Sequence, residues 1–275
     1  MAQIVVLGGK GKVGRRLTET LTRQGHEATA ASRSSQVRFD WHDASTWAAV
    51  VGDAESVFVV GPGSARDWSG LLARFLDVAA SAGVRHAVLL SARGVEFLPG
   101  GAVDLAERAL EAGPVPWTVL RPSHFAQNFT EAMFAPVDGV ISAPVGTAAE
   151  PFIDVRDLAE TAARILVERA CVGWRIALSG PTAVSFEEAA AVLSAASGVK
   201  VRFEPEDPAT HVARLRAAGT PEGYVEWRMA MLEGIRTGAD AYVSDGVEQV
   251  LGRPATTFTA WAAREVPTAA WTTGA

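Results

Sequence analysis

The amino-acid sequence predicts an α/β fold: a doubly wound, Rossmann-like parallel sheet with a smaller C-terminal substrate-covering lobe. Three observations predict it. A glycine turn joins an apolar strand to a helix at the start of the chain, strand and helix patterns alternate through the first two-thirds, and the pattern changes to helices carrying Trp and Met from about residue 185. The expected division is 1–150 for the nucleotide-binding domain and 151–275 for a mixed region that completes the sheet and forms the smaller lobe.

Taken in order, Ile4-Val5-Val6-Leu7 is the continuous apolar run of a strand covered on both faces. Gly8-Gly9-Lys10-Gly11-Lys12-Val13-Gly14 follows at once, and Val13, Leu17 and Leu21 then recur at helical spacing. Gly25 is placed to stop that helix, and a second strand follows over 27–32. Further strands are expected over 37–39, 56–60, 86–90, 117–120 and 175–178, with helices over 45–51, 67–82, 103–112 and 155–168. Beyond these, Ser185-Phe186-Glu187-Glu188 is a capping box that opens a helix, 199–204 reads as a short strand, and 208–236 as one or two amphipathic helices.

The glycine turn carries the chemistry. Small residues between strand and helix let backbone N–H groups approach a pyrophosphate, and the positive end of the helix attracts its charge. Gly8, Gly9, Lys10, Gly11, Lys12, Val13 and Gly14 are therefore candidate cofactor residues. The tip of the second strand selects the nucleotide, because a free ribose 2′-OH wants a carboxylate there and a 2′-phosphate wants a cation. The residues are Ser32-Arg33-Ser34, with no carboxylate, so NADP(H) is expected: Arg33 can fork onto phosphate and the serines can donate to it. Of 25 lysines and arginines only Lys10, Lys12 and Lys200 are lysines, and two of these stand in the glycine turn.

Ligands of open α/β sheets sit beyond the carboxyl ends of the strands. That rule nominates Asp40 and Trp41, which either flank the adenine or serve as a turn aspartate and a packing tryptophan. It also nominates Gly61 and Pro62, Ser91 and Ala92, and Pro122, Ser123 and His124. His124 titrates near neutrality and is the candidate proton donor, with Ser91 a second catalytic candidate. The remaining histidines have no metal-ligand spacing, and no metal is expected. Trp227 and Met231 read either as core residues or, since a flexible thioether and a large ring suit a bulky apolar molecule, as candidate substrate contacts together with His124.

A net charge of −6 without a dense basic run gives no footprint for nucleic acid or an acidic membrane surface. No run approaches the ~20 apolar residues that span a bilayer, and the chain enters a strand at once, so a cytoplasmic protein acting on a small molecule is expected. The single Cys171 forms no internal disulfide and reads as a packed or half-exposed residue.

Together these residues resemble the NmrA-like branch of the atypical short-chain dehydrogenase/reductases. The likeness is carried by VVLGGKGKVGRRL, ASRS after the second strand, LLSARGVE after the fifth, and VPWTVLRPSHFAQNF followed by PFIDVRDLA. It covers essentially the whole chain and is similar within the branch to the ergot-alkaloid dehydrogenase type. The resemblance implies an NADPH-dependent reductase of polarised C=N, C=C or quinone acceptors of secondary metabolism, with the aromatic-Asn pair Phe125 and Asn128 as candidate substrate contacts, or else a regulatory NADP(H) sensor without turnover. The chain departs from the standard short-chain reductase: no tyrosine precedes Tyr224 and no lysine lies between Lys12 and Lys200, so the Tyr-x-x-x-Lys dyad is missing. Proton delivery in a reductase of this sequence needs another donor, or solvent.

Overall fold

The computed structural model describes residues 2–63, 66–268 and 271. In chain order its elements are β1 (Gln3–Leu7), α1 (Lys12–Arg23), β2 (Glu27–Ser32), β3 (Val37–Arg38), α2 (Trp47–Val51), β4 (Ser56–Val59), α3 (Ser69–Ser81), β5 (His86–Leu90), α4 (Ala102–Glu111), β6 (Trp117–Pro122) and α5 (Asn128–Glu131). There follow β7 (Val140–Ala143), β8 (Ala149–Glu150), α6 (Val155–Glu168), β9 (Arg175–Leu178), β10 (Val184–Ser185), α7 (Phe186–Ser197), β11 (Arg202–Pro205), α8 (Pro208–Ala217), α9 (Glu222–Arg236), α10 (Gly246–Leu251) and α11 (Phe258–Glu265).

The expected doubly wound sheet is present, with seven strands in the order β3-β2-β1-β4-β5-β6-β9. Strand order reverses between β1 and β4, both parallel to each other and paired through Ile4–Ser56, Val5–Val57 and Val6–Phe58. Such a reversal opens a crevice at the carboxyl ends of the two strands, where the glycine turn lies. Four of the five β1 residues are buried because helices cover both faces of a parallel sheet. α1 packs against α6, while α3 packs against both α2 and α4.

The chain forms two compact units, interleaved in sequence. One comprises Met1–Arg121, Val155–Ala177 and Gln249–Gly252; the other comprises Pro122–Asp154, Leu178–Glu248 and Arg253–Ala275. Residues 151–275 are shared between the two units. The reason is packing: α6 lies against α1, β4 and β5, so it belongs with the first unit although it follows a segment of the second. The core of the first unit includes Phe39, Trp41, Trp47, Trp68 and Phe75, whose rings meet mostly edge to face at 5.0 to 6.3 Å.

The second unit builds its core from Phe129, Phe134, Phe152, Phe186, Phe258 and Trp261, with two small sheets, β7 parallel to β11 and β8 antiparallel to β10. Ser185 caps α7 with the full capping box expected of it. The amphipathic stretch 208–236 resolves into α8 and α9, and the strand expected over 199–204 starts later, at Arg202, because Gly198 ends α7 in the left-handed region. The helix expected over 45–51 begins instead as a 3₁₀ turn at Ala44–Thr46 capped by the Asp43 carboxylate. Short elements such as β7, β8, β10, α10 and α11 carry too few residues to show a period. Among the described residues no helix is long and apolar enough to cross a membrane.

Candidate functional site

The glycine turn is a cradle that side chains would fill. Gly8 has φ +68°, and Gly11 N–H donates to its carbonyl oxygen at 2.8 Å, closing the turn. A Cβ on Gly9 would lie 2.7 Å from the Ala30 Cα, and one on Gly14 only 2.3 Å from the Gly8 oxygen. Both contacts are with backbone and neither can yield cheaply. Gly11 precedes α1 as an N-cap without a side chain, so the first-turn N–H groups meet no side-chain acceptor from the cap. Val13 turns inward and is buried, fixing the helix against the sheet.

Arg33 and Ser34 are exposed in the loop after β2, and the Ser32 and Ser35 hydroxyls bond each other at 2.6 Å. Lys10 reaches from the glycine turn and donates through Nζ to the Ser34 carbonyl oxygen. Lys10 is thus brought against the loop that carries Arg33, a donor set suited to a phosphate. Glycine cradle and cationic loop together fit a phosphorylated dinucleotide.

The other strand ends divide. The Asp40 carboxylate accepts from His42 N–H at 3.0 Å, the pattern of a turn aspartate. Trp41 is a core residue: only 6% exposed, it donates its indole N–H to the Val60 carbonyl at 2.9 Å within the aromatic cluster. Gly61 is required by close packing, since its Cβ would meet the Trp68 ring at 2.9 Å, and Pro62 follows it in the half-buried segment after β4. The Ser91 hydroxyl donates to Glu107, which also accepts from Arg121 at 3.0 and 2.5 Å. Glu107 is 1% exposed, and the Ser91 hydroxyl with the Arg121 guanidinium partners this buried carboxylate. Ala92, the next residue, is half-buried. Ser123 is likewise committed, its hydroxyl to the Pro151 carbonyl at 2.6 Å, and Pro122 beside it is buried.

His124 is different in kind. Two residues beyond β6, its backbone N–H and its Nδ1 face the same Glu150 oxygen, Oε1, at 2.9 and 3.2 Å, and Nδ1 lies 3.7 Å from Asp240 Oδ2. All three ligand-capable atoms fall within 4.8 Å of one another. Burial alone would push the imidazole down, but hydrogen bonds to Asp240 and Glu150, and the charges of both, push it up to about 9 against an ordinary 6.5. Sequence reading found His124 by its place at a strand end and missed Glu150 and Asp240, which lie in unremarkable segments.

Phe125 and Asn128 share the turn that carries His124, Asn128 N–H donating to the Phe125 carbonyl at 2.9 Å. Trp227 is half-buried and pairs with Tyr224 at 5.5 Å between ring centres, while Met231 is buried at 4% exposure.

The fold and the glycine cradle define a Rossmann-type dinucleotide-binding protein, and a family model described as NAD(P)H-binding matches residues 8–169. The chain belongs to this NAD(P)H-binding family of oxidoreductases. It is 31% identical over 98% of its length, and 96% of the relative's, to an oxidoreductase of Bacillus subtilis named YesF, whose own description is uncharacterized. It is 28% identical to agroclavine dehydrogenase of Claviceps fusiformis over 90% of this chain and 92% of that one, in keeping with the ergot-alkaloid likeness. Among solved structures, the NADPH-dependent quinone oxidoreductase QOR2 of Escherichia coli in complex with NADPH shares the fold. It has a TM-score of 0.79 at 21% identity, covering 94% and 98% of the two chains.

Proposed function

We propose that the protein is an NADPH-dependent reductase of a polarised C=N, C=C or quinone bond in a bulky apolar small molecule, with His124 as proton donor. The observation that carries this reading is an imidazole whose Nδ1 faces two buried carboxylates, in a chain without the Tyr-x-x-x-Lys dyad. A relative named for the dehydrogenation of agroclavine supports a polycyclic, alkaloid-like acceptor and a place in secondary metabolism.

NADPH, when bound, supplies the hydride. The turn from Gly8 to Gly14 receives the pyrophosphate on backbone N–H groups, and Arg33 with Lys10 neutralises the 2′-phosphate. Phe125, Asn128 and Trp227 wall the acceptor and exclude water. With Nδ1 facing the carboxylates, Nε2 carries the transferable proton to the oxygen or carbon that becomes basic as the acceptor is reduced. The ring then regains a proton from solvent. A donor with a pKa near 9 matches the protonation of a hydroquinone or enolate oxygen better than an unperturbed imidazole does.

The test is consumption of NADPH with a panel of quinones, enones and cyclic iminium ions. Turnover is expected on at least one class; tight, redox-dependent NADP(H) binding without turnover on any would make the protein a nucleotide sensor. His124→Ala should slow quinone reduction roughly a hundredfold while sparing an iminium ion, which becomes a neutral amine on hydride addition and needs no proton. Equal loss on both acceptors would make His124 a wall of the site and no acid.

A further inference from the structure

We infer that Glu150 and Asp240 are positioning residues that hold the His124 ring in one rotamer, with Nδ1–H directed at them and the cationic form favoured, acting on the acceptor only through that ring. The inference rests on the reading of His124 as proton donor and adds the device that makes a histidine serve where a tyrosine and lysine are absent.

The geometry supplies the argument. Glu150 Oε1 accepts from both the backbone N–H and the ring of the same residue, so it clamps the imidazole against its own main chain. An ionised Oε1 can accept both N–H groups at once, and on that ground the proton of the pair is assigned to Nδ1. The His124 carbonyl accepts from Ile153 N–H at 2.9 Å, and the Phe134 ring lies 6.0 Å from the imidazole, tilted by 40°. Held by main chain, carboxylate and aromatic ring, the imidazole has little rotamer freedom to lose when an acceptor arrives.

One carboxylate would orient the ring; the second decides its charge. His124 is 11% exposed, and Glu150 and Asp240 are 0% and 3% exposed, so all three groups have given up most of their water. An imidazolium opposite a single carboxylate in such surroundings gains little over the neutral pair, because desolvation of both ions opposes their attraction. Two carboxylates around one imidazole leave excess negative charge that only a cation offsets, so the ring keeps its proton. The Glu150 carboxyl stands above its ordinary value, raised by burial first and by the Asp240 charge, while hydrogen bonds from His124 and the charge of its ring pull it back down. Its other oxygen, Oε2, is buried without a hydrogen-bond partner, a cost tolerated where charge is wanted. Asp240 is fixed by its backbone N–H, which donates to the Gly234 carbonyl near the end of α9 at 3.1 Å. The titratable groups that face the ring are these two carboxylates, one from β8 and one from the turn after α9, while Phe134 adds no charge.

The experiment is an NMR titration of the histidine ring signals in the full chain, with His124 assigned by its loss in His124→Asn, for the unmodified protein, Glu150→Gln and Asp240→Asn. The unmodified ring should titrate near pH 9, and each amide variant, which keeps shape but removes charge, should bring the midpoint down by at least about one pH unit, a tenfold change in proton affinity. The alkaline limb of quinone reduction should move down in parallel with it, while NADPH affinity is unchanged. A His124 midpoint near 6.5 in the unmodified protein, or one that neither variant moves, overturns the inference whatever the rates do. Stoichiometric zinc binding that abolishes the titration would overturn it too. A ring midpoint that falls without moving the rate profile leaves the clamp standing and instead defeats the assignment of His124 as proton donor.

Discussion

The glycine turn and the His124 cluster are built in opposite ways. The first lies within seven consecutive residues, works through backbone N–H groups, and is held open by the lack of side chains at Gly9 and Gly14. The second is drawn from three distant segments and gathers an imidazole and two carboxyl groups where burial has removed most of their water. Both put charge complementarity at the end of a sheet strand. The difference teaches that backbone recognition of a phosphate can be written locally, whereas a tuned acid must be assembled by the tertiary fold.

The comparison breaks most visibly at Gly14. Gly14→Ala drives a Cβ into the Gly8 oxygen, so NADPH binding should be lost to calorimetry and thermal stability should fall by roughly 1–3 kcal/mol, as for overpacking elsewhere. A variant that binds NADPH normally would show that the turn relaxes and is no rigid cradle. Arg33→Ala sharpens the local side of the comparison with a smaller effect. Loss of a charge-assisted contact worth about 1.5–3 kcal/mol should weaken NADPH roughly ten- to hundredfold and leave NADH within a factor of two or so; equal losses for both nucleotides would remove Arg33 from the 2′-phosphate. The smallest effect is expected at Ser185, whose hydroxyl caps α7 at a site with no role in either chemistry. Ser185→Ala should cost about 1 kcal/mol in denaturant unfolding, with NADPH affinity unchanged.

Legibility followed the range of the interactions. The parallel sheet could be read because each strand is a short run ending in a turn, and all seven strand starts agree with the expectation to the residue: Gln3, Glu27, Val37, Ser56, His86, Trp117 and Arg175. The Ser185 box was readable for the same reason, being complete within four residues. Trp41 and Ser91 were not. A tryptophan or serine at a strand end has the same sequence signature whether it faces a ligand or the interior, and only the aromatic cluster around Trp41 and the Glu107 carboxylate beside Ser91 tell the two apart. Glu107 itself shows why: a carboxylate on an amphipathic helix reads as solvent-facing until Arg121 is seen beside it.

The sequence by itself determined the nucleotide cradle, the parallel sheet that presents it and the absence of a tyrosine–lysine pair, because each depends on residue types at short fixed spacing. Tertiary structure alone decided the division into interleaved units and the meeting of His124 with Glu150 and Asp240. Charge coupling depends on distance through space and on excluded water, and neither is encoded in the neighbours of a residue along the chain.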